Sequence, residues 1–263
     1  MDVTVDGKRA HAATGSRENA PGDPAVVLVH GAGLDRTIWQ MQTRNIAFTG
    51  RRCYAVDLPG HGRSDGPALA SVAEMADWVI RFMDAAGIDK ATLMGHSMGS
   101  LITLDAAARH PDRAERLILT GVAETMPVHP DLLAAAEADE PLAPELIVFW
   151  GLGEKAQIGG HPLPGLWVHG ASEVLLKNAK SGVLGNDLKA CDGFGNAAEA
   201  AAQVKCPTDF VLGRDDKMTP VKSGVALAGA IDGANVTILE RCGHMLMIER
   251  PNEMYNALRG IIF

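Results

Sequence analysis

The chain has 263 residues, of which 47% are hydrophobic and 21% are charged, and its formal net charge is −8. A chain of this length and composition fills a sizeable core, as one large α/β domain or as a core with a small insertion. The acidic balance argues against a nucleic-acid-binding surface and against a basic face that binds membranes. We therefore expect neither nucleic acids nor membranes among the partners of this protein.

The sequence carries no visible targeting or membrane-spanning segment. Its first 19 residues are polar and contain no apolar run behind a basic cluster. No stretch approaches the roughly 18 uncharged apolar residues that a membrane span requires. We therefore expect a cytoplasmic protein. The four cysteines lack the Cys-x-x-Cys spacing of redox and metal sites, so reduced thiols are expected rather than disulfides or metal ligands.

Strands and helices alternate along most of the chain. A hairpin is predicted from residues 3–5 and 10–13, and apolar strands are predicted at 25–29, 52–56, 91–94, 117–120, 209–212 and 235–239. Helices are predicted at 39–48, 71–86, 101–109, 197–203, 221–231 and 252–262. This alternation predicts an α/β fold with a mostly parallel central sheet of about eight strands and helices on both faces.

Residues 123–185 have a different pattern from the rest of the chain. They contain many of the prolines, several glycine clusters and short helical pieces, without a strand of the buried type. We interpret them as a helical cap inserted into a core that consists of residues 1–122 and 186–263. Because ligands of parallel sheets bind beyond the carboxyl ends of the strands, the loops that follow strands should carry the site.

A serine flanked by glycines follows the strand predicted at 91–94. Residues 95–99 read Gly-His-Ser-Met-Gly and lead directly into a predicted helix, which is the context of a nucleophile elbow. Gly95 and Gly99 have no side chains, so strand and helix can approach closely around a strained Ser97. The Gly-x-Ser-x-Gly motif alone is common by chance. Its value as evidence for a nucleophile therefore depends on whether the other strand ends supply an acid, a base and oxyanion donors.

Three further strand ends carry candidate chemistry. The turn 30–33 reads His-Gly-Ala-Gly, and the N–H of Ala32 with that of Met98 predicts a two-donor oxyanion hole. Residues 213–220 contain two acidic residues, and His244 follows the last strand. Taken singly, an acid before a helix is often a cap and a lone histidine is often structural. Together they give the order Ser97, Asp216, His244, which is the order of α/β-hydrolases.

The chain resembles the α/β-hydrolase superfamily along nearly all its length outside the predicted cap. The resemblance is carried by the motifs at residues 30–33, 57–64, 95–99, 213–216 and 243–245. It implies that Ser97 is the nucleophile, His244 the base and Asp216 the acid. Asp216 is preferred to Asp215 because the family's acid lies three residues after the glycine, with Thr-Pro shortly downstream. The loop 57–64 is a structural hallmark, to which we assign no catalytic role.

The resemblance also implies acyl transfer through a covalent acyl-enzyme, without a metal or an organic cofactor. Serine rather than aspartate at position 97 argues against haloalkane dehalogenases and epoxide hydrolases. We expect a carboxylic ester hydrolase that acts on a small-molecule, ester-like substrate with a small or medium acyl group. Lactonases, thioesterases, haloperoxidase-like enzymes and C–C bond hydrolases of ring-cleavage products share this triad and stay open, as does a hydrolase-like ligand receptor or signalling protein.

Sequence says least about the substrate pocket and the assembly state. We expect Leu34, Trp150 and Trp167 to line the pocket, while packing of the cap onto the core is the alternative for the two tryptophans. A C–C bond hydrolase would need polar or basic contacts to a dienoate acid. His161, His169 and Lys177 are candidates for these contacts, and the simpler interpretation is that they are ordinary cap residues. A homo-oligomer is compatible with the sequence, which does not indicate its order.

Overall fold

The structure is a computed structural model that describes residues 1–17 and 20–262. Its strands are β1 (Asp2–Val5), β2 (Lys8–Ala13), β3 (Ala25–Val29), β4 (Arg52–Val56), β5 (Ala91–His96), β6 (Ala114–Thr120), β7 (Thr208–Gly213) and β8 (Asn235–Leu239). They form one eight-stranded sheet in the order β1-β2-β4-β3-β5-β6-β7-β8. β1 and β2 are antiparallel to their neighbours, and the six strands from β4 to β8 in this order run parallel.

The described helices are α1 (Gln40–Phe48), α2 (Val72–Ala85), α3 (Met98–Arg109), α4 (Pro130–Glu137), α5 (Leu142–Gly151), α6 (Glu154–Gln157), α7 (Val168–Lys177), α8 (Val183–Asp192), α9 (Ala197–Gln203), α10 (Val221–Ala228), α11 (Leu246–Glu249) and α12 (Pro251–Ile262). None of the helices in the described part of the chain is long and apolar enough to cross a membrane.

Helices cover both faces of the sheet, as predicted. Val27 and Val29 of β3 belong to one buried cluster, which also contains residues of α2, α3, α9 and α10. Val26 and Leu28 face the opposite side and pack with residues of α1, α11 and α12. Because successive side chains of a strand point to opposite faces, a strand with two buried faces is continuously apolar. The predicted fold class is therefore confirmed.

The chain between β6 and β7 forms helices α4 to α9 and, within this fully described stretch, no strand. Helix α4 packs against α5 and α8, and α5 packs against α7. We call the part from Pro130 to Asp192 the α4–α8 segment. Helix α8 runs continuously through residue 185, so it crosses the boundary expected between cap and core. The independence of this segment as a cap stays a prediction.

The bounds of several elements differ from those predicted. β5 continues through Gly95 to His96, because the strand pairs with β6 up to the elbow itself. A 3₁₀ turn at Arg36–Trp39 and the short helix α11 were not predicted. Both are single turns of four residues, which are too short to show a helical period.

The elbow depends on two close backbone contacts. Ser97 has φ 54° and ψ −120°, in a region that residues other than glycine rarely adopt. A Cβ on Gly95 would lie 2.1 Å from the Gly99 carbonyl oxygen, and a Cβ on Gly99 would lie 2.2 Å from the Val29 carbonyl oxygen. Neither contact can be relieved by a side-chain rotation. Glycine at both positions is therefore a packing requirement, as the sequence predicted.

We expect the substitution Gly95→Ala to lower the free energy of unfolding by about 1–3 kcal/mol or more, because the new methyl group overlaps backbone on α3. Gly22→Ala is the matched control, since a Cβ there would meet nothing within 4 Å. Urea denaturation followed by circular dichroism measures both variants. Equal stability of Gly95→Ala and Gly22→Ala would contradict the close packing at the elbow.

Candidate active site

Ser97 lies at the carboxyl edge of the sheet, between β5 and α3. Its backbone N–H donates to the Thr120 carbonyl oxygen at 2.9 Å, which ties the elbow to the end of β6. Ser97 is 9% exposed, and it borders a cavity at this end of the sheet. Met98 is the first residue of α3, so its N–H belongs to the unpaired donors of a helix N-terminus. The turn therefore presents a hydroxyl beside a backbone donor.

His244 and Asp216 form a buried pair in the loops after β8 and β7. His244 Nδ1 lies 2.8 Å from Asp216 Oδ2, and the two residues are 2% and 5% exposed. Asp216 Oδ2 also accepts from the Thr219 hydroxyl at 2.7 Å, and Oδ1 accepts from the N–H groups of Met218 and Thr219. Because an ionised carboxylate only accepts, His244 Nδ1 carries a proton, and Nε2 is the ring nitrogen that Asp216 does not contact.

The surroundings of Asp216 favour its ionised form. Burial by itself would raise the pKa of Asp216, but the charge of His244 and its hydrogen bond, with those from Thr219, outweigh burial and lower the pKa. Asp215, the alternative acid, is exposed, and its own N–H donates to the Cys242 carbonyl oxygen. Of the two neighbouring aspartates, Asp216 is thus the one whose side chain contacts His244.

Ser97 and His244 border the same cavity without a direct hydrogen bond. In the described part of the chain, the hydrogen bonds of the His244 side chain go to Asp216 and Thr219. In free enzymes such nucleophile–base contacts are often long and tighten when substrate binds. The structure thus joins the predicted acid and base directly and places the predicted nucleophile at the same cavity.

The loop that carries His244 is held from two sides. Glu249 is 2% exposed and accepts from the N–H groups of Gly243 and Met245 at 3.1 and 3.0 Å, on either side of His244. It also accepts from the N–H of Gly153 at 2.9 Å, beyond the end of α5. Burial raises the pKa of Glu249, although these three hydrogen bonds oppose the rise. The sequence did not predict a role for Glu249, and its one local signal is a carboxylate directly after the apolar residues 246–248.

Two further histidines beside the elbow are neutral. His96 Nε2 donates to the His244 carbonyl oxygen at 2.9 Å, and burial together with the charge of His244 lowers its pKa to about 3. His30 Nδ1 donates to the Gly31 carbonyl oxygen, and its Nε2 accepts from the Leu58 N–H. Burial and the neighbouring His61 lower the pKa of His30 to about 4. His30 is therefore a structural histidine whose two ring nitrogens are both hydrogen-bonded.

The glycine-rich turn after β3 packs directly against the nucleophile. The Leu34 N–H donates to the Gly31 carbonyl oxygen at 3.2 Å and closes a four-residue turn. A Cβ on Gly31 would lie 3.1 Å from Ser97 Cβ, a tight contact that would press on the serine, and glycine avoids it. Ala32 borders the cavity together with Ser97. The turn thus lies directly beside the serine, and the oxyanion hole formed by the N–H groups of Ala32 and Met98 stays a prediction.

A cavity of about 310 Å³ is bordered by Ala32, Ser97 and His244. Apolar side chains dominate its walls, and most of these apolar side chains come from the α4–α8 segment and the loop before it. Leu34 and Trp150 border the cavity as expected. The unpredicted apolar residues of the wall are Met126, Pro127, Val128, Leu132, Ile147, Leu188, Cys191, Met218 and Met245. Among the described residues that border the cavity, Lys217 is the one lysine or arginine, and it is exposed.

The expectation for Trp167 is not met by its position. Its side chain is 64% exposed, its ring stacks on that of His169 at 6.2 Å, and it does not belong to the described cavity wall. The basic candidates for a dienoate contact also lie elsewhere. His161 contacts the Ile248 carbonyl oxygen at 2.7 Å, and Lys177 pairs with Glu173 on α7. In a segment of short helices and loops, the packing of the helices decides which side chains face the cavity, and the sequence alone does not reveal this packing.

We expect Asp216→Asn to lower kcat on a p-nitrophenyl ester by about 10³–10⁴-fold, because an amide does not stabilise the His244 imidazolium or fix its tautomer. Asp215→Asn is the matched control, since the exposed neighbour should change kcat by less than about threefold. Steady-state kinetics of both purified variants decide between them. Similar losses in the two variants would contradict the choice of Asp216.

Comparison with known proteins places this geometry in a family. The model described as alpha/beta hydrolase fold matches residues 24–251. The chain is 30% identical over 251 residues to 2-hydroxy-6-oxo-6-phenylhexa-2,4-dienoate hydrolase of Burkholderia cepacia, covering 89% of this chain and 85% of the relative. It is 26% identical over 252 residues to (E)-2-((N-methylformamido)methylene)succinate hydrolase of Acinetobacter baylyi, with coverage of 92% and 91%.

Solved structures agree on the fold. The enol-lactonase from Burkholderia xenovorans superposes with a TM-score of 0.88 at 24% identity, over 99% of this chain and 98% of that one. A thermophilic esterase from Thermogutta terrifontis gives a TM-score of 0.85 at 22% identity, over 99% and 96%. The family match covers both the elbow serine and the buried histidine–aspartate pair. The chain belongs to the alpha/beta hydrolase fold family.

Proposed function

We propose that this protein is a serine hydrolase that cleaves carboxylic esters through an acyl-enzyme on Ser97. The observation that carries the proposal is the buried 2.8 Å contact between His244 Nδ1 and Asp216, at the cavity that Ser97 borders. A histidine whose Nδ1 is fixed by a carboxylate presents its Nε2 as a base, and a nearby hydroxyl is the group that such a base activates.

The proposed reaction has two halves. His244 Nε2 takes the proton of the Ser97 hydroxyl as its oxygen attacks the ester carbonyl carbon, and Asp216 stabilises the imidazolium. The N–H groups of Ala32 and Met98 bind the oxyanion, the alcohol leaves with the proton from His244, and the acyl group stays on Ser97. Water then gives a proton to His244 and attacks the acyl carbon, which releases the acid and restores the serine. Neither half uses a metal or an organic cofactor.

The size of the cavity and the character of its walls favour a substrate whose acyl group is small or medium and carries no formal charge. Its volume of about 310 Å³ lies at the lower end of the range for small-molecule sites. Its walls are mostly apolar side chains, which bind an alkyl or aryl group but leave a buried carboxylate unpaired. The exposed Lys217 borders the cavity and is the one lysine or arginine on the described wall.

Hydrolysis of a C–C bond in a ring-cleavage product is the second candidate. It is supported by the 30% identical relative that bears the name of a dienoate hydrolase, and by Lys217, whose ammonium group suits a substrate carboxylate. The structural neighbours named as lactonase and esterase fall below 25% identity and support the fold alone. Ester cleavage remains our first proposal because the described wall lacks a buried cation for a dienoate acid.

A substrate panel tests the proposal. We expect multiple turnovers on p-nitrophenyl esters of two to eight acyl carbons, and a loss of at least about 10⁴-fold in kcat for Ser97→Ala. Lactones, thioesters and a 2-hydroxy-6-oxo-dienoate in the same panel compare the reaction types by kcat/KM. A single burst without turnover would support a receptor instead of an enzyme, and activity that survives Ser97→Ala would overturn the assignment of the nucleophile.

A further inference from the structure

Asp187 is a fully buried carboxylate that takes no part in the proposed reaction. It lies on α8, near the C-terminal end of the α4–α8 segment, and its exposed fraction is 0%. Its Oδ2 accepts from the backbone N–H of Gly33 at 2.9 Å and contacts His61 Nε2 at 2.8 Å. Gly33 follows Ala32 in the turn after β3. A carboxylate from a distant part of the chain is thus bonded to the turn that carries the proposed oxyanion donor.

The contacts of His61 show that it is charged. Its Nδ1 lies 3.0 Å from the Pro59 carbonyl oxygen and its Nε2 lies 2.8 Å from Asp187. Both partners are pure acceptors, so both ring nitrogens carry protons. Burial would lower the pKa of His61, but the charge and hydrogen bond of Asp187, with the Pro59 carbonyl, outweigh it and raise the pKa. His61 and Asp187 therefore form a buried ion pair under the turn.

Helix α8 fixes the conformation of this turn at two points. Gly33 has φ +65° while Ala32 does not have a positive φ, which makes Gly31–Leu34 a type II turn with Gly33 at its third position. A Cβ on Gly33 would lie 2.7 Å from Leu184 Cδ1, so the helix touches the turn directly. A flip of the central peptide would replace the Gly33 N–H at Asp187 with a carbonyl oxygen. Two acceptors would then face each other in a buried site, which is costly.

We propose that Asp187 is a positioning residue for the oxyanion hole, which makes the donor geometry of Ala32 depend on the seating of α8. This inference rests on the proposed function, because it assigns Asp187 a role in aiming one of the two donors. An oxyanion donor contributes only when it is aimed at the developing charge before the reaction starts. Asp187 bonds the N–H of Gly33, the peptide that follows Ala32, so it holds the turn that carries the Ala32 donor while it does not itself border the cavity.

The test compares Asp187→Ala, Asp187→Asn and a matched control in the full-length protein. Removing one oxyanion donor typically costs about 10²–10³-fold in rate, so misaiming one by Asp187→Ala should lower kcat on p-nitrophenyl butyrate by about 10–100-fold. Because the donors act mainly on the transition state, KM should stay within about threefold. Asp187→Asn keeps an oxygen for the Gly33 N–H and should recover part of the lost rate.

Asp209→Asn controls for the general loss of a buried carboxylate. Asp209 is 6% exposed and pairs with Arg116 near the start of β7, at the sheet edge opposite the site. The Asp209→Asn substitution should lower the melting temperature and leave kcat unchanged in assays well below that temperature. A trifluoromethyl ketone, which adds to the serine and needs the oxyanion hole, gives a second readout. Its affinity should fall in Asp187→Ala by about the same factor as kcat.

The possible outcomes distinguish a failure of the role proposed for Asp187 from a failure of the proposed hydrolase function. A wild-type protein without Ser97-dependent turnover overturns both. Ser97-dependent turnover combined with wild-type kcat and ketone affinity in Asp187→Ala overturns the role of Asp187 alone, as does a loss of kcat equal to that in Asp209→Asn. If Asp187→Ala does not fold, the kcat and KM of Asp187→Asn test the role of Asp187 instead. A kcat three- to tenfold below wild type with unchanged KM supports the role, and a wild-type kcat overturns it.

Discussion

The site depends on the close approach of β3, β5 and α3 around one strained residue. Ser97 holds φ 54° because the glycines on either side let backbone meet backbone at distances that a Cβ would forbid. Sheet pairing on both sides of β5 and a closely packed core keep this conformation in place. The hydroxyl, the helix N-terminus and the turn after β3 converge as a consequence. Strain at the serine is thus sustained by packing elsewhere in the core.

Three buried carboxylates organise the loops around the serine. Asp216 fixes His244, Glu249 accepts from the N–H groups on both sides of His244, and Asp187 accepts from the turn after β3. Two of them also join the core to the α4–α8 segment, Glu249 through Gly153 and Asp187 through its own place on α8. Each accepts two or more hydrogen bonds, so burial is compensated by several donors. Base, oxyanion turn and cavity wall are therefore parts of one connected structure.

The sequence predicted the fold and the strand ends that meet, because both follow from local patterns. Apolar runs marked β3, β4 and β8 at the bounds that they have, and the glycines around Ser97 marked the elbow. It did not reveal Asp187 or Glu249, whose importance depends on partners 154 and 96 residues away. It also placed Trp167 at the cavity, although packing of α7 leaves that ring exposed. Contacts between distant segments carry no local signal, so the substrate pocket was the least predictable part of the protein.

Covalent labelling tests most directly whether His244 and Asp216 activate Ser97. A serine-reactive sulfonyl fluoride should modify one site per chain, mass spectrometry should map it to Ser97, and turnover should fall in proportion to labelling. Asp216→Asn should slow the labelling by at least about 10²-fold, since the serine then lacks an oriented base. Labelling of another residue, or equally fast labelling of Ser97 in Asp216→Asn, would contradict an activated serine at the elbow.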